Sequence, residues 1–332
     1  MSRIDFLYPA ILAVLVLPLA GCGGGSRHDV QEVYYLVAAN TKIPYWQAAN
    51  AGLEAAGRQL QVKYEMVGPD TYDPQAEKAE FRKILGRKPT GILVSAADAA
   101  VITPEIDAAV AQGVPVITID SDAPNSKRLT FIGTNNYEAG RMGGALAAKA
   151  LNGKGNVVVF TMPEQTNLKE RLNGYEQVFR GTGIKIADIV DIKGDPRIAF
   201  DTTHEIATKR AAQVDGFICL EALACPEVAE VLNRSKLTGK VVVAMDVDPR
   251  TLEWVEKGVI AGTIAQKPFT MAAFGLKMLD DLYHHKPTSL QANFKQDVKA
   301  PVPSFVDTGA TLVDKNNVAM FLKEAAAQTT QQ

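Results

Sequence analysis

Short apolar runs rich in β-branched residues alternate along the chain with longer stretches in which apolar or small residues recur at helical spacing. The runs at 33–38, 62–67, 91–94, 114–119, 129–132, 156–160, 185–192, 216–220, 241–244 and 261–264 read as strands. Their near-continuous apolar character is that of strands covered on both faces, as in a parallel sheet with helices above and below. Between them, 48–60 and 139–151 carry the helical spacing. Pro44, Asp73-Pro74 and Pro268 mark helix starts, where a proline's fixed φ and missing N–H are harmless.

The rhythm repeats. Runs beginning at Val33, Val62, Gly91 and Val116 correspond to runs at Val157, Lys185, Gly216 and Val242, displaced by 123–126 residues. Side chains match poorly across the repeat while spacing matches well, so two similar βαβ domains are expected. A length of 332 residues also exceeds what one core ordinarily serves. Strands end in Asn40, Asp98 and Asp120 in the first half and in Glu221 and Asp246 in the second. Open α/β sheets bind ligands beyond the carboxyl ends of their strands. Two such domains face to face would gather these side chains into one cleft.

Composition narrows the class. Hydrophobic residues make up 47% and charged residues 22%, a globular balance. The net charge of -2, with Lys and Arg interleaved among acids, offers no basic face for nucleic acid. No Gly-x-Ser-x-Gly elbow or Gly-Lys-Ser/Thr phosphate loop follows a strand; Gly153-Lys154-Gly155 precedes one. Asp120-Ser121-Asp122 lacks the later ligands of a calcium loop, and His28, His204, His284 and His285 have no zinc-like spacing. No metal, cofactor or enzymatic activity is expected, a glycosidase pair of Asp120 and Asp246 being the weaker alternative.

At the N-terminus Arg3 precedes an apolar run over 6–19, and Leu19-Ala20-Gly21-Cys22 follows. The short run with small residues at its end fits an export signal rather than a membrane span. Cys22 falls where a lipobox places its acylated cysteine, giving a signal peptide over 1–21 and a glycine-rich tether over 22–30. The expected setting is the periplasm or the cell surface, lipid-anchored to a membrane. Export permits disulfides. Cys219 and Cys225 are either bridged or two buried free thiols.

Several short segments together carry a resemblance: Ile43-Pro44-Tyr45-Trp46, Pro115-Val116-Ile117-Thr118-Ile119-Asp120, Ile132-Gly133-Thr134-Asn135-Asn136, Lys169-Glu170-Arg171-Leu172-Asn173-Gly174-Tyr175, Ala244-Met245-Asp246 and Gly262-Thr263-Ile264-Ala265-Gln266. In their order and spacing the chain resembles the type I periplasmic-binding family, specifically its ribose-binding-like sugar receptors, over roughly 33–321. The resemblance implies an α/β fold of two similar doubly wound parallel-sheet domains joined by a hinge that the chain crosses three times. The crossings would fall near Gly133, near Gln266 and around 299–303. The N-terminal lobe would then be 30–132 plus 267–297, and the C-terminal lobe 134–265 plus 300–326. A monomer would capture a monosaccharide or related polyol by hinge closure and hand it to an ABC permease. A receptor module for a chemoreceptor or sensor kinase would use the same site. A transcription regulator of this fold would need a helix-turn-helix where this chain carries an export signal.

The residues so implicated in ligand binding are Tyr45, Trp46, Asp120, Ser121, Arg171, Glu221, Asp246 and Gln266. An aromatic plane can cover the C–H face of a sugar while hydrogen bonds take its rim, a core position for Trp46 being the weaker alternative. Asp120 and Asp246 supply acceptor-only carboxylates for pairs of hydroxyls, or else cap helices. Arg171 presents a planar fork, or else lies on the surface beside Glu170. Gln266 can donate and accept at the hinge, and Asp195 is a looser candidate. The chain departs from the family pattern at three places. Ser121 stands where a second arginine commonly follows the fourth-strand Asp, Ile43 beside Lys42 where an Asn often precedes the Pro-aromatic pair, and Glu221 where a neutral amide is usual. The cleft should therefore be more acidic than the ribose pattern, which brings amino-bearing or cationic sugar derivatives and nucleoside-like solutes into view. Asp246→Ala and Arg171→Ala are expected to abolish binding with little loss of folding.

Overall fold

A computed structural model describes residues 28–29, 31–285 and 302–329. The export signal, Cys22, most of the tether and the segment 286–301 lie outside the described residues.

The first half runs β1 (Val33–Val37), α1 (Pro44–Leu60), β2 (Lys63–Val67), α2 (Pro74–Leu85), β3 (Gly91–Val94), α3 (Ala99–Ala111), β4 (Val116–Ile119) and β5 (Phe131–Gly133). The second runs α4 (Asn136–Ala150), β6 (Lys154–Thr161), α5 (Thr166–Phe179), β7 (Gly183–Asp191), α6 (Pro196–Lys209), β8 (Gly216–Cys219), α7 (Ala224–Arg234), β9 (Val241–Met245), α8 (Pro249–Lys257) and β10 (Gly262–Ala265). The chain ends with α9 (Pro268–His284), β11 (Phe305–Asp307), β12 (Thr311–Val313) and α10 (Val318–Thr329). Two sheets result, with strand orders β11-β5-β4-β3-β1-β2 and β12-β10-β9-β8-β6-β7. They have the same order once the repeat is allowed for, and all pairings are parallel except that of β12 with β10.

The side-chain alternation of a strand sorts the first core into two layers. Tyr34 and Leu36 face α1 and α9 with Leu93, Ile117 and Leu276, while Tyr35 and Val37 face α2 and α3 with Phe81, Ile92 and Ile106. The central strands β3, β4 and β8 are buried along their whole length, whereas the outer strands β2 and β7 expose alternate residues. Helix starts follow the sequence signals. Asp73 accepts from the amides of Gln75 and Ala76 ahead of Pro74, and Pro44 and Pro268 occupy first turns.

The third crossing departs from expectation. Residues 305–307 lie in register beside β5, with Phe305 opposite Phe131 and the two rings stacked at 5.3 Å, so this strand belongs to the first sheet. The next strand, β12, joins the second sheet beside β10. The chain therefore changes lobes at 308–310 rather than around 299–303, and 305–307 do not belong with the second lobe. The open edge of β5 is filled by this parallel strand, whose three residues carry no periodic signal of their own.

Cys219 ends β8, Cys225 lies in the first turn of α7, and the two are bridged across a Cα–Cα distance of 5.7 Å. A ring this small contributes about 2 kcal/mol in the chain-entropy account. It also fixes the turn that carries Glu221.

Candidate functional site

The strands β4 and β9 occupy equivalent positions in the two sheets, and each is followed by an aspartate in the left-handed region, Asp120 at φ 61° and Asp246 at φ 68°. Aspartate is among the few residues that tolerate this conformation, through its short polar side chain. In both lobes the main chain stays paired: the Asp120 amide donates to Ile132 O at 3.2 Å and the Asp246 amide to Ile264 O at 2.9 Å. The backbone thus remains in the sheet for one more residue while the carboxylate turns out over the strand end.

The two aspartates meet in a cleft between the lobes with an empty volume of about 520 Å³, part of it open to solvent. Tyr45, Trp46 and Asp120 line it from the first lobe; Arg171, Glu221, Asp246 and Gln266 line it from the second lobe and the hinge. The phenol of Tyr45 donates to Asp120 Oδ1 at 2.6 Å, and Ser95 Oγ donates to Asp120 Oδ2 at 3.1 Å. Tyr45 and Trp46 meet edge to face, with centroids 5.4 Å apart. Trp46 is at once wall and core, since it also packs among Leu53, Ile119 and Met271.

Arg171 is held from three sides. Its Nε donates to Asn136 Oδ1 at 2.8 Å, Nη1 to the Leu220 carbonyl at 2.7 Å, and Nη2 to Gln266 Oε1 at 2.8 Å. Gln266 Nε2 in turn donates to Asp246 Oδ1 at 2.9 Å, so the guanidinium reaches this carboxylate through the amide. The helix carrying Arg171 sits close against α4: a Cβ on Gly140 would collide with the Arg171 backbone carbonyl, so only glycine permits this approach. Glu221 faces the cleft, but its carboxylate accepts from the amides of Leu223 and Ala224 and caps α7.

Three carboxylates share the cleft with one guanidinium, the sole cation among the lining residues. Burial pushes the Glu221 carboxyl up to about 7 and that of Asp246 up to about 6, and it raises Asp120 against the opposing pull of Arg171. Burial, reinforced by Asp120 and Asp246, also drives the Tyr45 phenol well above its ordinary value, so it stays a donor.

Three sequence candidates lie elsewhere. Ser121 does not line the cleft: the left-handed turn at Asp120 sends its side chain inward, where the hydroxyl is buried without a hydrogen-bond partner. Asp195 caps α6 through the Arg197 amide at 3.0 Å and pairs with the Arg197 guanidinium. Asp98 caps α3 through the amides of Ala100 and Val101. Conversely, Tyr72, Met162, Gln165 and Asn167 line the cleft without having been singled out. Asn167 stands one helical turn before Arg171, a spacing that could have found it. Tyr72 had no such signal.

The lobes touch at the mouth. Thr166 Oγ1 of the second lobe donates to the Asp122 carbonyl of the first at 2.7 Å. Tyr72 packs against both cores, and a Cβ on Gly194 would run into it.

Comparison with known proteins agrees with this architecture. The D-allose-binding periplasmic protein of Escherichia coli is 24% identical over 260 residues, covering 75% of this chain and 83% of that protein. A sugar-binding protein of a sugar ABC transporter from Bacillus halodurans superposes with a TM-score of 0.75 at 30% identity, covering 87% of this chain and 99% of the other. A solute-binding protein of an ABC transporter from Burkholderia graminis, solved with D-arabinose, gives 0.78 at 26% identity over 87% and 98% of the two chains. Residues 34–287 match the model of the periplasmic binding protein domain, and the chain belongs to that family.

Proposed function

We propose that this chain is the extracytoplasmic solute-binding protein of an ABC importer and captures a monosaccharide or related polyol by closing its lobes. Family membership implies a location outside the cytoplasm. The observation that carries the reading is the convergence of one left-handed aspartate from each lobe with Tyr45, Trp46 and Arg171 in a single cleft. Such a set suits a guest with an apolar face and a rim of hydroxyls. D-Allose and D-arabinose, the guests named for two of the relatives, are of this class. Binding needs both lobes, so ligand shifts the open–closed equilibrium, and the permease reads the closed shape. The protein acts as a monomeric carrier rather than an enzyme, tethered to the membrane through an acylated Cys22.

One observation favours a narrower guest: Asp120, Glu221 and Asp246 face a lone guanidinium. A sugar bearing an amino group would offset that charge. A thermal-shift screen over neutral sugars, polyols, amino sugars and nucleosides, followed by calorimetric titration, tests both readings. Tight binding of a neutral sugar alone keeps the first and removes the second. No binder among all four classes would overturn the proposal.

A further inference from the structure

We propose that the first lobe carries a site for a divalent transition metal, Zn²⁺ by its chemistry, formed by His28, Glu32, Asp280 and His284. No such site was expected from the sequence, because His28 and His284 stand far apart along the chain and no local spacing links them. The fold brings them together. Each of the four residues offers one ligand atom, and these atoms all lie within 4.8 Å of one another.

The separations are those of a small coordination shell. His28 Nε2 lies 3.0 Å from Asp280 Oδ1, and His284 Nε2 lies 3.2 Å from Glu32 Oε2 and 3.6 Å from Asp280 Oδ1. A tetrahedron with zinc–ligand bonds of about 2.0–2.2 Å has edges of about 3.3–3.6 Å, so these atoms need move little to enclose an ion. Two imidazoles with two carboxylates suit zinc, whereas calcium and magnesium prefer oxygen alone. The two carboxylates are sheltered, Glu32 at 4% exposure and Asp280 at 13%, while His28 is half-buried and His284 stands at the surface, leaving an ion a way in. They are also oriented from behind: Tyr34 donates to Asp280 Oδ1 at 3.2 Å, and the Asp29 amide donates to Glu32 Oε1 at 2.7 Å. Such outer partners fix ligand geometry in metal sites.

His284 ends α9, whose other end adjoins Gln266, so this site lies about 24 Å along the helix from the sugar cleft. A bound ion would fasten His28 and Glu32 to α9 and act on stability rather than on sugar binding.

The test uses the full chain stripped of metal with a chelator. Calorimetric titration with ZnCl₂ should give one ion per chain and raise the unfolding temperature, and Co²⁺ should produce the intense visible absorption of a tetrahedral centre. The double variant His28→Ala/His284→Ala, and separately Asp280→Asn, should lose these responses while any sugar affinity stays unchanged. The proposal is overturned if wild type takes up no Zn²⁺. It is equally overturned if the variants bind as wild type does, or if Ca²⁺ and Mg²⁺ bind as well as Zn²⁺. The distances would then belong to histidine–carboxylate ion pairs alone.

Discussion

Replacing Arg171 with methionine separates two roles that the sequence could not tell apart. The sequence marks this residue as a ligand contact whose loss would leave folding nearly intact. In the structure it is 2% exposed and each of its three nitrogens donates one N–H to a protein acceptor. Methionine replaces much of the stem, so the change falls on the guanidinium. Hydrogen bonds from a charged group contribute about 1.5–3 kcal/mol each, and a buried acceptor left bare costs about 1–3 kcal/mol. Water in the cleft can serve Gln266 but reaches Asn136 and the Leu220 carbonyl poorly. The expected loss is therefore about 3–5 kcal/mol, the range for breaking a buried charged network. It should fall on the second lobe, which supplies Asn136 and Leu220. The two tryptophans report the lobes separately, Trp46 in the first core and Trp254 in the second. Urea titration of the Trp46→Phe background, followed by Trp254 fluorescence, should show the second-lobe transition moved to lower denaturant by that amount. Trp46 fluorescence in a Trp254→Phe background should show the first-lobe transition nearly unmoved. A second-lobe loss under about 1 kcal/mol would refute this account and restore the purely ligand-facing role.

Because the carboxyls of Asp246 and Glu221 titrate near 6 and 7 when folded, against about 4 in an unfolded chain, the folded protein holds protons that the unfolded chain has released. Their contribution to stability is greatest below pH 4 and is lost as pH rises through 6 and 7; the melting-temperature difference between wild type and Asp246→Asn should widen over that window, and a constant difference would contradict it. Cys219→Ser should lower the second-lobe stability by about 2 kcal/mol under oxidising conditions and by little when wild type is reduced, a comparison that denaturant titration with and without reductant makes directly. Thr166→Val removes the hydroxyl that bridges to the Asp122 carbonyl across the mouth; at about 1 kcal/mol of the closed form, ligand affinity should drop roughly fivefold by calorimetry, and unchanged affinity would deny the contact a part in closure.

What was legible in the sequence, and what was not, follows from how far each feature depends on backbone geometry. The repeat was readable because buried parallel strands need unbroken apolar runs, and spacing survives where side chains diverge. Asp98, Asp120, Asp195 and Asp246 all read alike as aspartates just past a strand. Only the left-handed φ of Asp120 and Asp246 sends those two over the strand ends, while extended backbone leaves Asp98 and Asp195 as helix caps. Ser121 was misplaced for the same reason, since a residue after a left-handed turn reverses direction. The strands β11 and β12 are three residues each, too short for a period to register. Tyr72 and the cluster of His28 with His284 depend on contacts between distant segments, which no local pattern encodes.

The paired aspartates also suggest why ligand and closure are coupled. In an open molecule each carboxylate would stand at its own strand end, hydrated and apart from the other. Closure strips that water and sets the second negative charge nearby, and both effects raise the Asp246 carboxyl, burial more than Asp120. Measured against an exposed aspartate, its rise from 3.8 to about 6 corresponds to about 3 kcal/mol, an upper bound on the cost of closing empty at neutral pH. Hydroxyls of a bound guest would donate to the same oxygens and remove much of that cost. A free energy up to this bound shifts an open–closed equilibrium by at most roughly a hundredfold, in the direction that makes the closed shape a report of occupancy. Asp246→Asn removes the charge while leaving an acceptor for Gln266 Nε2, so the empty variant should close more readily than wild type. Small-angle scattering of the two ligand-free proteins should then give the smaller radius of gyration for Asp246→Asn at pH 8, with the difference fading at pH 5 as the wild-type carboxyl takes up its proton. Equal radii at both pH values would mean that the empty cleft is held open by something other than its buried acids.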